Sequence, residues 1–348
     1  MAKKRRSTKI LLRSVLVCLI GAITLFYLNK TVFNSHIKDK NFTYLFVSTG
    51  DTFDDVIQHL NDAEIFSEPK AFEWLAKSMD LQKNIHPGKY KILNGMNMRQ
   101  VINILKYNKQ EKVKLVYNYK IHNIEEFVAY TDEKLEISAE QLEDLLSDET
   151  KLHNGFMLDP DNCFAMICPG TYEVNWAITI DEFVSILKER YQKVWTEERK
   201  KQAKQIGLEI SDVITLASIV QSESSIADEQ EKIAGVYLNR LSHQMALQAD
   251  PTLKFANKNF EARRVLNEDK RVSSPYNTYK NKGLPPGPIC LVGTQAIDAT
   301  LNYTHHNFLF FCAKPQLNGF SDYSVTYEQH RKYAQAYQQT LSKKGINR

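Results

Sequence analysis

Five cysteines in 348 residues are too few to staple a fold with disulfides. Four of them lie beyond the N-terminal apolar run: Cys163, Cys168, Cys290 and Cys312. No CxxC or HxxxH spacing occurs, so the chain carries no readable metal-binding pattern. His305 and His306 are adjacent, which is poor geometry for one ion, and they read as a loop or strand end. Cys163 and Cys168 could pair in an oxidising compartment, and buried free thiols account for them as well. Ser222, Ser224 and Ser225 lack the flanking glycines of a nucleophile elbow. No cysteine sits beside a candidate base in a recognisable motif. Internal repeats and low-complexity stretches are also missing. A serine or cysteine nucleophile is therefore disfavoured, and neither a metal nor a cofactor is expected.

Acidic residues are absent from residues 1–30, which carry Lys3, Lys4, Arg5, Arg6, Lys9, Arg13 and Lys30. That stretch holds a net +7, which leaves residues 31–348 at −3 against the whole chain's +4. The basic balance is a property of the tail, and a nucleic-acid-binding body has no support. After the basic tail (residues 1–9) comes Ile10 to Leu28, apolar apart from Arg13, Ser14 and Thr24. A spanning helix needs roughly 20 residues, which this run reaches if Arg13 snorkels to the interface. The positive cluster holds the N-terminus in the cytoplasm and places the body on the outer, periplasm-side face of the cytoplasmic (inner) membrane. The competing reading is a cleaved signal peptide, but no small-x-small site follows Leu28. An uncleaved single-pass transmembrane anchor over residues 10–29 is expected. Cys18 lies inside the apolar run, as a membrane cysteine rather than a lipid-attachment site.

Further along, Tyr44 to Val47 reads as a strand and Thr49-Gly50-Asp51 as a turn. Asp51 or Thr52 can cap a helix with Phe53, Val56, Ile57 and Leu60 on one stripe. A second helix covers Pro69–Met79, Pro87-Gly88 turns into a strand, and Met98 to Leu105 is helical. Lys112 to Tyr119 alternates like a strand, and residues 122–131 and 138–147 are helical, the latter capped by Ser138. Residues 165–174 read as a strand broken by a Pro-Gly turn. Ile180 to Gln205 reads as one long helix with a charged, solvated face. Together these elements predict an α+β fold.

The run Leu216-Ala217-Ser218-Ile219-Val220-Gln221-Ser222-Glu223-Ser224 is an apolar helix that ends on a carboxylate. Ser211 is the expected N-cap, with Asp212 favouring the helix dipole. A helix apolar all round is buried, so Glu223 stands where a buried helix emerges. Desolvation there raises a carboxyl pKa and keeps a proton available for general-acid work. The plainer reading is a helix end at the surface. Asp228 is the expected cap of the next helix, with Glu231 completing a capping box. That helix carries Tyr237-Leu238-Asn239-Arg240-Leu241. Gln248, Asp250 and Thr252 fall on a loop or short strand stiffened by Pro251, and Tyr276, Asn277 and Tyr279 follow. Amides, carboxylates and aromatic rings are the usual readers of sugars. Gly283 to Ile289 is a Pro-rich segment that can frame a cleft at low entropy cost.

This ordered set resembles the MltG (YceG-like) endolytic murein transglycosylases, most specifically from Ser218 to Ile289. The family's usual Glu-x-Glu appears here as Gln221-Ser222-Glu223, so the catalytic role falls on Glu223 alone. The closing segment, Phe320-Ser321 and Thr326 to His330, is similar more loosely. The resemblance implies a small LysM-like αβ module over residues 42–110, with a spacer that binds nothing as its alternative. It implies a larger YceG-like catalytic domain over 111–345. The implied activity is cleavage of MurNAc–GlcNAc β-1,4 bonds within peptidoglycan strands, leaving 1,6-anhydro-MurNAc ends. Gln248, Asp250, Asn277 and Tyr279 would bind the glycan. Asn239 and Arg240 would orient the acid or contact sugar, although Arg240 is equally an ordinary ion-pair partner. Peptidoglycan synthases are the implied working neighbours in cell-wall assembly. Two other readings stand beside this one: a muramidase with Asp250 as second carboxylate, and a membrane-anchored peptidoglycan-binding scaffold without catalysis.

Overall fold

The computed structural model describes residues 14–23, 26, 41–262 and 265–343. Residues 14–23 are helical and exposed, and no helix among the described residues is long and apolar enough to cross a membrane. The anchor expected over residues 10–29 lies in good part outside the described residues. The chain divides into two units: residues 1–114 with 134–136 and 173–178, and residues 115–133 with 137–172 and 179–348.

In the first unit, strands β1 (Phe42–Val47) and β2 (Gly88–Leu93) pair antiparallel, Phe42 opposite Leu93 and Val47 opposite Gly88. Between them run helices α1 (Phe53–Asp62) and α2 (Pro69–Ser78), and α3 (Met98–Lys106) follows β2. The sequence fixes both ends of this pattern. Thr52 and Asp55 form a reciprocal capping box at the start of α1, as Asn97 and Gln100 do for α3. Leu45, Val47, Tyr90 and Ile92 turn one sheet face onto Val56, Leu60, Phe72, Met98 and Val101, and all of these side chains are buried. The other face sets aromatic rings against lysines: Lys89 lies over Tyr44 at 3.9 Å and Lys91 over Phe42 at 4.2 Å.

Strands β3 (Val113–Tyr117) and β4 (Gly170–Val174) form a second two-stranded sheet. The second unit is mainly helical. Its helices are α4 (Ile124–Lys134), α5 (Ala139–Ser147), α6 (Glu149–Phe156), α7 (Ile180–Val194), α8 (Glu197–Gln205), α9 (Ile210–Glu223), α10 (Ala227–Ser242), α11 (Asp250–Ala256), α12 (Thr294–Leu301) and α13 (Tyr327–Lys343). An antiparallel hairpin, β5 (Phe310–Ala313) with β6 (Ser321–Ser324), precedes α13. Helix α9 is the axis of this unit, with every side chain from Val213 to Val220 buried and α10 and α12 packed against it.

Several local expectations are corrected. Residues 180–205 form two helices, because Trp195 is buried at the break and Thr196 caps the second by accepting the Arg199 N–H. Arg199 then ties the corner, donating to both oxygens of Asp298 at 2.7 and 2.8 Å and to the carbonyl of Val194. The expected strand over 165–174 begins only at Gly170, after a 3-10 helix over Pro160–Met166. Helix α9 starts before Ser211, with Glu209 as its N-cap and the Asp212 carboxylate accepting the Glu209 N–H. Helix α10 starts at Ala227, so Asp228 lies in its first turn instead of capping it. Cys163 and Cys168 are buried and unpaired. Burial pushes the Cys163 thiol up to about 11 and the Cys168 thiol up to about 12, which keeps both protonated and inert.

Candidate active site

Glu223 is the last helical residue of α9, and the chain turns extended at Ser224. Its carboxyl is half-buried and already has a partner. The hydroxyl of Tyr237, on α10, donates to Glu223 Oε1 at 2.8 Å. Tyr237 is itself buried to 1 % exposure, with its ring edge against Phe311. Glu223 is therefore no surface helix end. Desolvation pushes its pKa up to about 7, and the charge of Asp250 adds to the rise. The Tyr237 hydrogen bond and the charges of Lys254 and Arg240 act the other way. One oxygen is committed to Tyr237, which leaves Oε2 free to carry the proton. The result is a carboxyl poised to give up a proton near neutrality and take it back.

Asp250 opens α11, a short helix with Pro251 in its first turn, where the missing proline N–H does no harm. The expected loop holds for Gln248, while from Asp250 on it is replaced by a helical turn. Asp250 is exposed and accepts the Tyr279 hydroxyl at 2.6 Å. Burial and the neighbouring Asp250 push the Tyr279 hydroxyl pKa up, so it stays a donor. Gln248 is exposed in left-handed backbone at φ 52°, with its N–H bound to the carbonyl of Thr278. Thr252 faces inward, bonding Ala249 O and Thr278 Oγ1.

The remaining residues serve as internal braces. Asn277 is fully buried, its amide donating to Lys270 O at 3.0 Å and Val272 O at 2.9 Å while its oxygen accepts the Tyr279 N–H. It thereby fixes the loop that presents Tyr279 and has no donor left for a sugar. Asn239 donates to the carbonyls of His306 and Phe308. Arg240 is buried, donating to Leu309 O at 2.7 Å and Leu247 O at 2.6 Å beneath the Phe310 ring, and burial lowers its pKa. Its bonds go to main-chain carbonyls rather than to a carboxylate, so the ion-pair alternative is not what the structure shows. Its charge nevertheless reaches Glu223.

A cavity of about 630 Å³ opens beside the end of α9. Its polar wall is Gln221, Ser222, Gln230 and Gln295, and its aromatic wall is Tyr119, His122, Phe255 and Phe260. His122 stacks on Phe260 at 3.8 Å, which makes a flat platform. Pro251 and Lys254 bring α11 to its rim. Amides and hydroxyls on one side with rings on the other suit a saccharide, which has polar edges and apolar faces. Sequence reasoning missed Tyr237 and the His122–Phe260 platform. A tyrosine on an aliphatic stripe signals a hydroxyl that must find a partner. The platform joins residues 138 positions apart and left no local signal.

The YceG-like family profile matches residues 45–336. The chain is 26% identical over 304 residues to the endolytic murein transglycosylase of Bacillus subtilis (strain 168), covering 84% of this chain and 83% of that protein. It is 30% identical over 153 residues to the endolytic murein transglycosylase of Streptococcus pneumoniae serotype 2 (strain D39), and there the match spans 42% of this chain and only 27% of the relative. A crystal structure of a yceG-like protein from Listeria monocytogenes superposes with a TM-score of 0.55 at 22% identity, over 84% of this chain and 99% of that one. That last likeness concerns the fold.

Proposed function

This chain belongs to the YceG-like family, and from that premise we propose that it is an endolytic murein transglycosylase with Glu223 as its one acid and base. The observation that carries the assignment is the environment of Glu223: a half-buried carboxyl with its pKa near 7, held on one oxygen by Tyr237, at the end of a helix whose neighbouring residues Gln221 and Ser222 line a cavity with polar and aromatic walls. Glu223 Oε2 gives its proton to the glycosidic oxygen between MurNAc and GlcNAc as the bond from C1 breaks. The resulting carboxylate takes the proton of the MurNAc C6 hydroxyl, whose oxygen forms the new bond to C1. Glu223 ends protonated, the product is a 1,6-anhydro ring, and no water is consumed. Intramolecular attack supplies the proximity that a second carboxylate and a water would otherwise have to provide. The exposure of Asp250 and its hydrogen bond from Tyr279 support a role in offsetting the positive charge that develops on the sugar. Gln248 and Tyr279 complete the set of glycan contacts.

The order strand–helix–helix–strand with antiparallel pairing supports reading the first unit as a LysM-like module that holds glycan. The apolar run after a basic tail supports a single-pass anchor, with the body outside the cytoplasmic membrane and peptidoglycan synthases as neighbours. The deciding experiment is mass spectrometry of purified glycan strands incubated with the full chain and with its Glu223→Gln variant. Anhydro-MurNAc ends are expected from the first, and a rate loss of about 10²–10⁴ from the second. Reducing ends in place of anhydro ends would make Asp250 the second carboxylate of a hydrolase. Glycan binding without cleavage would leave a scaffold.

A further inference from the structure

Gln221 stands two residues before the acid on α9 and lines the same cavity, yet both of its polar ends are already taken. Its Nε2 donates to the Leu291 carbonyl at 2.9 Å, and its Oε1 accepts the Gly293 N–H at 2.8 Å. One turn earlier the buried Ser218 Oγ accepts the Ile289 N–H at 3.0 Å. Three main-chain groups of the segment 289–293 are therefore held by the last turns of the acid's helix. Ile289 and Cys290 of that segment form a wall of the cavity. The fit is close: a Cβ at Gly293 would stand 3.3 Å from Gln221 Oε1.

We propose that Gln221 is a positioning residue that clamps the 289–293 wall to α9, donating and accepting at once, and so sets the width of the cavity at the end of the acid's helix. The inference rests on the transglycosylase reading for its activity readout. A glutamate at 221 has the same shape and could accept from Gly293 in either protonation state. It could donate to Leu291 only while protonated. Once ionised, it would set an oxygen against the Leu291 carbonyl with no hydrogen between them. The titratable and charged groups facing this position are the Cys290 thiol, 3.5 Å from Gln221 Nε2, and His122 and Lys254 in the lining of the same cavity, while Glu223, two residues along the helix, turns toward Tyr237.

The test compares the full chain with Gln221→Glu and Gln221→Ala. Glycan cleavage is followed from pH 5 to pH 8, and amide hydrogen exchange at Gly293 is measured in the same samples. Gln221→Glu should come closest to the wild-type rate at pH 5, where a part-buried carboxyl set against the Leu291 carbonyl is most protonated, and fall about tenfold behind it at pH 8. Gln221→Ala should be slow by a factor that does not change with pH, with faster exchange at Gly293 throughout. The opposite sign overturns the proposal. If position 221 acts only through its charge, an added carboxylate holds the Glu223 proton to higher pH and Gln221→Glu gains on wild type above neutrality. Unchanged Gly293 exchange in Gln221→Ala overturns it as well. A wild-type chain that cleaves nothing sinks the transglycosylase reading, while the exchange measurement still decides the clamp.

Discussion

Glu223 and Tyr237 make one unit of chemistry from two helices, and their coupling sets a pH signature. Tyr237 donates to Oε1 and so favours the ionised carboxyl, while burial disfavours it and wins. Tyr237→Phe removes the opposing contribution, so the Glu223 pKa rises further and the alkaline limb of the rate profile moves to higher pH. The loss of a hydrogen bond to a group that becomes charged also costs on the order of 1–3 kcal/mol. A stability measurement checks the same physics. The folded-state pKa near 7 lies above the ordinary carboxyl value, so the folded state binds more protons between the two. Stability conferred by this group is complete at low pH and is lost as pH rises through about 7. Glu223→Gln abolishes that loss. Its thermal midpoint relative to wild type should therefore climb from pH 5 to pH 8, and a flat difference would show that the carboxyl is not desolvated.

Helix α10 can lie close to its neighbours because of Gly235. A Cβ there would meet the main-chain carbonyl of Thr304 at 2.6 Å and His306 Nε2 at 2.8 Å. The segment cannot yield cheaply, since Thr304 N–H and His306 Nε2 bond the carbonyls of Glu231 and Lys232 on the same helix. Gly235→Ala should cost about 1–3 kcal/mol by overpacking, at roughly 2–4 °C of thermal midpoint per kcal/mol. Because Tyr237 lies two residues on, cleavage should fall with it. Calorimetry and the glycan assay on one preparation check both. Much of this scale was legible in the sequence: the apolar stripe from Val213 to Val220 foretold a buried helix with Glu223 at its mouth, and Thr52 and Ser138 signal helix starts through local side-chain bonds. What escaped depended on partners set by loop geometry, outside any helical or strand period. Asn277 reads as a sugar ligand by residue type, yet its loop folds back so that Lys270 and Val272 present it two carbonyls. Arg240 likewise meets carbonyls from positions 247 and 309, which no periodicity announces.

At the scale of the whole chain, charge and hydropathy are segregated rather than mixed. Residues 1–30 hold a net +7 and the one long apolar run, while residues 31–348 carry −3. A body of that charge has no electrostatic reason to seek an anionic membrane, and among its described residues no helix can cross one. Membrane attachment, as proposed, therefore rests on the first thirty residues alone. On that proposal the apolar run would supply insertion, and the lysines and arginines before it would supply orientation. The full chain should float with vesicles of mixed zwitterionic and anionic lipid and stay with them in high salt, because insertion of an apolar helix is not screened. Residues 41–348 should remain in the soluble fraction and keep glycan cleavage in solution, since every residue of the proposed site lies within the second unit. Release of the full chain by salt would mean that the basic tail holds the membrane by charge and that the apolar run does not insert. Flotation of residues 41–348 would instead move the membrane contact onto the body, where the exposed Phe42 and Phe46, with Lys89 and Lys91 on the outer sheet face of the first unit, would be the first residues to replace.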